Sequence, residues 1–233
     1  MSSFPVTQAM LDDALRFMGV SGSEGEETLE ALERKVSQAF SRIEGIARPL
    51  GVWKRFPLDV DGVRNLVRVA DAFDVESRDL TRLFARSSEC FLLAVTLGPE
   101  VDRQISLSQR VDMLEGMALD ACASVWADAF CDEVEKEARA TLSEGEHLTM
   151  RFSPGYGDVP LATSESILEV LDAARRIGLS VTRSQMMTPV KSITAMIGIS
   201  DQKEEKKDRG RNCAQCALNG TCPYRKRGDS CGL

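Results

Sequence analysis

The chain has 233 residues, 43% hydrophobic and 28% charged, which suffices for one sizeable core, or one core plus a small appendage, in a globular protein. No apolar run approaches the roughly 18 residues of a membrane span, and the start Met-Ser-Ser-Phe-Pro-Val lacks the basic-then-apolar pattern of an export signal, so a cytoplasmic protein is expected. A net charge of −7 argues against general nucleic-acid binding, because neutralising phosphates takes a basic face.

The first half reads mainly as helices. Met10, Leu11, Ala14, Leu15 and Met18 share one helical stripe over residues 7–18, before Ser21-Gly-Ser-Glu-Gly breaks the chain. From Glu26 to about Ala47, Leu29, Leu32, Val36, Phe40, Ile43 and Ile46 recur every three or four residues, and Pro49 and Gly51 end that amphipathic helix. Residues 52–70 are ambiguous; a short strand at Val52–Phe56 and a helix near Val63–Ala70 are expected, and Ser77 is placed to cap a helix carrying Leu80, Leu83 and Phe84. The continuous apolar run Cys90–Leu97 suits a buried strand, and Pro99 suits the first turn of the helix after it. A long central helix is expected from about Asp112 to Leu142, with Leu114, Ala118, Ala121 and Val125 beside Cys122, Trp126, Phe130 and Val134 on a wide apolar face.

Strands enter in the second half. Leu148–Phe152 is β-compatible, Thr163 or Ser164 is placed to cap a helix that Gly178 closes, and strands follow at Leu179–Arg183 and Lys191–Ser200. Helices followed by strands, without a βαβ rhythm, indicate an α+β fold. Asp201–Arg211 is nearly all polar or charged and reads as a linker. The organisation expected is therefore a domain over 1–200, a linker over 201–212 and a tail over 213–233.

Arg151-Phe-Ser-Pro-Gly-Tyr-Gly157 is the most informative stretch. Pro154 restricts the backbone, while Gly155 and Gly157 permit positive φ and close approach. Arg151 can meet a carboxylate with a bidentate fork, and Tyr156 offers a flat face with a hydroxyl, which together suit a small ligand with a carboxylate and an aromatic ring. The same spacing equally describes a tight strand-to-helix turn with a surface ion pair. His147, the single histidine, is assigned no role.

This stretch resembles the activation domain of cobalamin (vitamin B12)-dependent methionine synthase, whose Arg-x-x-Pro-Gly-Tyr motif forms part of an S-adenosylmethionine site. The match here is Arg151, Pro154, Gly155 and Tyr156. The likeness continues through the helix near 164–177 and through Gly178–Thr182, Ser184, Met187, Pro189 and Ser192. Ala94–Val101 is similar to the smaller stand-alone members. The resemblance implies an α+β fold with a mixed or antiparallel sheet packed on long helices. It also implies a cofactor-binding set of Arg151 on the methionine carboxylate, backbone near Ser153, then Pro154, Gly155 and Tyr156. The implied role is that of an accessory component, not a complete enzyme, which holds S-adenosylmethionine while a partner subunit presents its cobalamin. An electron donor such as ferredoxin or flavodoxin would serve the same rescue. Asp59, Asp61 and Asp71 are candidates for the family's early acidic contact, and its late tyrosine pair has no counterpart after Ile199.

Cys90, Cys122 and Cys131 lie in apolar periodic segments, as small buried hydrophobes do, whereas Cys213, Cys216, Cys222 and Cys231 crowd the end of the chain. In a reducing compartment that crowding points to metal before disulfide. Cys213 and Cys216 form a C-x-x-C pair, and Cys222 and Cys231 can complete a tetrahedral set for zinc or an iron–sulfur cluster, between which spacing does not decide. A redox-active thiol pair or free thiols are the plainer reading. The cluster would make the chain an electron-transfer or redox-sensing protein; an adaptor for another corrinoid methyltransferase is a further alternative.

Overall fold

The computed structural model describes residues 5–20 and 25–201; the charged linker after Asp201 and the four tail cysteines lie outside them. Four helices, six antiparallel strands and a second helical layer are stacked in that order. Thr7 caps α1 (Gln8–Phe17) through its hydroxyl, which accepts from Met10 N, and α2 (Glu26–Ile46) buries Val36, Ala39, Phe40 and Ile43. They pack on α4 (Pro99–Val111) and on the 27-residue α5 (Met113–Arg139), whose Ala118, Leu119, Cys122 and Trp126 complete the helical core. The stripes deduced from the sequence thus face one another, as burial of apolar surface requires.

Strands β1 (Leu50–Asp61), β2 (Leu66–Val69), β3 (Phe73–Glu76), β4 (Ser87–Thr96), β5 (His147–Leu148) and the last strand, β8 (Ser192–Ser200), form one sheet in the order β3-β2-β1-β4-β8-β5. All its pairings are antiparallel. Alternation sorts the side chains of β4: Phe91, Leu93 and Val95 face Phe130, Cys131 and Val134 of α5, while Cys90, Leu92 and Ala94 face the opposite layer. That layer holds α3 (Arg78–Leu83), capped by Ser77 as expected, α6 (Thr163–Val170) and α7 (Ala173–Ile177). A small ribbon, β6 (Ser180–Val181) with β7 (Met187–Thr188), leads into β8. The fold is α+β with an antiparallel sheet between helical layers.

Several local expectations are corrected. Residues 63–70 form no helix: the Asp61 carboxylate accepts from Val63 N and Arg64 N, Asn65 adopts φ 53°, and the chain doubles back as β2. The strand expected at Val52–Phe56 runs from Leu50 to Asp61 because β2 and β4 pair along it. The helix expected to Ile177 is interrupted at Asp172, which takes φ 52°. Neither Thr163 nor Ser164 caps it. Ala162 occupies the cap position, and the Ser164 hydroxyl instead pairs with Thr194 Oγ1 at 3.0 Å inside the core.

Candidate functional site

The segment leading to the motif zips onto the free side of β8. His147 and Leu148 pair with Ser200 and Ile199; then Thr149 N donates to Gly198 O, and Phe152 and Met196 exchange two backbone hydrogen bonds of 2.9 Å. Alternation at this edge sends Phe152 into the lower core and Arg151 the opposite way, toward α5. Past Phe152 the chain turns out of the sheet. Tyr156 N donates to Ser153 O at 3.2 Å, Gly155 N to Val159 O at 3.0 Å, and Val159 N to Tyr156 O at 3.1 Å. Gly155 and Gly157 take φ of 90° and 53°, conformations that favour glycine. Pro154 is buried beneath the turn, Ser153 is half-buried, and Tyr156 stands 52% exposed. The five residues expected at the site are one continuous loop.

Arg151 is engaged within the chain. Its Nη1 donates to Asp132 Oδ1 at 2.7 Å and to Glu135 Oε2 at 3.4 Å, and its Nη2 to Asp128 Oδ1 at 3.4 Å. The ion pair allowed by the sequence thus exists, with α5 as its partner. Spaced by four, Asp120, Ser124, Asp128 and Asp132 lie in one row along that helix. At the other end of the row Lys191 Nζ reaches Asp120 Oδ1 and Ser124 Oγ, both at 2.9 Å. From α4, Asp102 accepts from Val190 N at 2.6 Å and Lys191 N at 3.3 Å, and so holds the segment entering β8. Burial pushes the Asp128 carboxyl up; Arg151 opposes this and Asp132 adds to it. The row can receive cationic groups, and the loop can offer an aromatic face and backbone polar groups.

None of this row was singled out from sequence, although its four-residue spacing within an apolar helix was a visible signal. Asp59 and Asp61, considered for an acidic contact, are used locally: Asp59 pairs with Arg68 at 2.6 Å and Asp61 closes its own turn. Among the described residues no cluster of His, Cys, Asp or Glu is arranged to hold a metal, and no helix is long and apolar enough to cross a membrane. Cys90, Cys122 and Cys131 are buried free thiols, each pushed up to about 12 by burial, and so are poor thiolates.

The described residues thus form an antiparallel sheet between helices, with Arg151 reaching an acidic row on α5 and the glycine-bearing loop after it lying against α3. The family model for the vitamin B12 dependent methionine synthase activation domain matches residues 88–206, just over half of the chain. The chain belongs to that family. Its fold is similar to that of a solved structure described as the MetH reactivation domain bound to AdoHcy, with a TM-score of 0.62 at 16% identity, covering 84% of this chain and 77% of that one. No curated protein sequence gives a significant match.

Proposed function

We propose that this protein is a reactivation subunit for a cobalamin-dependent methionine synthase, binding S-adenosylmethionine and offering its methyl group to cobalamin carried by a partner subunit. The observation that carries the proposal is the motif from Arg151 to Tyr156, whose Arg151 reaches the acidic row of α5, within the part of the chain that matches the activation-domain family. Charge complementarity supports the ligand. S-adenosylmethionine has a carboxylate for Arg151, and an ammonium and a sulfonium for carboxylates such as Asp128. Tyr156 supplies a face for a ring, and the Ser153 backbone supplies polar groups. The structural neighbour is described as bound to AdoHcy, the product left when that donor gives up its methyl group.

The partner's cob(II)alamin would be the substrate, with one electron required from a donor such as ferredoxin or flavodoxin. Methyl transfer would break the S–CH3 bond of the donor, leave its sulfur neutral and pass the methyl group to the partner's reduced cobalamin. The chain's own share is orientation: Arg151 and Tyr156 hold the donor and no side chain acts as acid, base or nucleophile. Isothermal titration should show wild-type binding and a loss of roughly ten-fold or more in Arg151→Ala, with unchanged circular dichroism and slower reactivation of the partner enzyme. No binding by the wild type, alone or with its partner, or a normal reactivation rate in the variant, would sink the proposal.

Cys213, Cys216, Cys222 and Cys231 are proposed to hold an iron–sulfur cluster or zinc in a reducing, cytoplasmic setting. Iron with sulfide in the anaerobically purified protein would make the tail the electron-delivering element, and zinc alone would make it a structural knot. Neither metal at near-stoichiometric level would end the metal reading.

A further inference from the structure

We infer that Asp158 is a positioning residue that locks the motif loop onto the start of α3, and that ligand affinity depends on this lock; the second half rests on the proposed S-adenosylmethionine site. Its carboxylate accepts from three donors about 80 residues earlier in the chain: the Ser77 hydroxyl, Arg78 N at 2.8 Å and Asp79 N at 3.2 Å. The loop leaves the sheet edge at Phe152, buries Pro154, and enters the core again at Val159, which is 4% exposed. In between, the hydrogen bonds among Ser153, Gly155, Tyr156 and Val159 give the turn its shape. The buried Pro154 and Val159 anchor the loop by packing, and Asp158 supplies its polar attachment to α3.

Two further features fit this role. Gly157 passes so close to α3 that a methyl group there would collide with Asp79 Oδ2 and lie 3.3 Å from the Phe152 ring. Burial alone would raise the Asp158 carboxyl, yet Ser77 and the Arg78 and Asp79 amides hold it below the usual carboxylate range, as expected where donors converge on the ionised form. The contact borders a polar groove of about 300 Å³ lined by Arg64, Asn65, Glu76, Ser77, Arg78 and Asp158. Removing the carboxylate does not strip α3 of its cap, because the Ser77 hydroxyl also accepts from Leu80 N at 3.0 Å. Asp158 variants are therefore expected to fold.

The test compares wild type, Asp158→Asn and Asp158→Ala at a temperature where circular dichroism shows all three fully folded. Asparagine keeps the Oδ1 acceptor facing Ser77 and Asp79 N but places a donor against Arg78 N. Amide hydrogen exchange should show residues 153–159 losing protection in the order wild type, Asn, Ala, while β4 and α5 stay protected. Titration with S-adenosylmethionine should weaken by roughly ten-fold or more in the alanine variant and about three-fold in the asparagine variant. Partial rescue by asparagine separates positioning from bulk stability, since all affinities are read on folded protein. Unchanged loop protection, or unchanged affinity in Asp158→Ala, would overturn the inference. If the wild type binds no S-adenosylmethionine, the proposed function fails at that point, and the lock is still decided by hydrogen exchange alone.

Discussion

Asp128 shows how one residue serves two masters on α5. Although 62% of its side chain is exposed, desolvation by the surrounding helix and sheet edge works against its charge, Arg151 works for it, and the net effect is a raised carboxyl pKa. A raised carboxyl pKa means that the folded protein binds the proton more tightly than the unfolded chain. Stability is then lost as pH rises from the ordinary carboxylate range through the folded pKa, the reverse of the usual aspartate. Solvent screens a side chain that is 62% exposed, so Asp128→Asn is expected to raise the thermal midpoint at pH 7 only slightly and to confer no gain near pH 4. A lower midpoint at pH 7 would show that attraction to Arg151 outweighs burial. Such a balance was not legible in the sequence, because Asp128 and Arg151 are 23 residues apart and meet only when the sheet edge packs on α5. Arg151, Pro154, Gly155 and Tyr156 were legible, because their chemistry and spacing are local.

At the scale of elements, α5 organises the molecule. Asp112 caps it by accepting from Leu114 N at 2.9 Å and Glu115 N at 3.1 Å, and is held in turn by Lys35 at 3.1 Å. Its near neighbour Gly116 lets α4 cross closely: a methyl group there would lie 2.7 Å from Gln109 N and 2.8 Å from Gln109 Cα, both backbone atoms. Helix propensity favours alanine over glycine by about 1 kcal/mol, but this clash has no flexible side chain to relieve it. Gly116→Ala is therefore expected to lose about 1–3 kcal/mol in denaturant titrations, as overpacking does; a gain would show that α4 shifts freely. The long helices and the buried strands β4 and β8 were readable from periodicity because each buries a regular face. Residues 63–70 were misread because Val63, Leu66, Val67 and Ala70 also fit a helical stripe; the Asp61 turn and the positive φ of Asn65 and Ala70 decided for a hairpin.

For the whole molecule, the described core closes on itself. Side chains from the sheet's two faces fill separate clusters, and Phe91, Leu93 and Leu92 at its centre are fully buried. The division into a core domain, a linker and a metal-binding tail is proposed on that basis. A chain ending at Asp201 should melt within a few degrees of the full chain and retain S-adenosylmethionine binding, while its bound iron or zinc falls to background. A large fall in midpoint, measured by calorimetry, would mean that the tail belongs to the folding unit.

By itself the sequence determined the α+β class, the helix faces, the buried strands and the composition of the motif loop. These follow from spacing along the chain, and each can be judged within a window of one element. Tertiary structure alone decided that Arg151 meets Asp128, Asp132 and Glu135, that Asp102 and Asp158 hold the two segments beside the site, and that the residues after Asp61 double back as a hairpin. Most of those contacts join groups far apart in sequence, and spacing along one helix does not say which distant side chain meets it. Only the packing of the sheet edge against α5 and α3 brings their donors and acceptors within hydrogen-bonding distance.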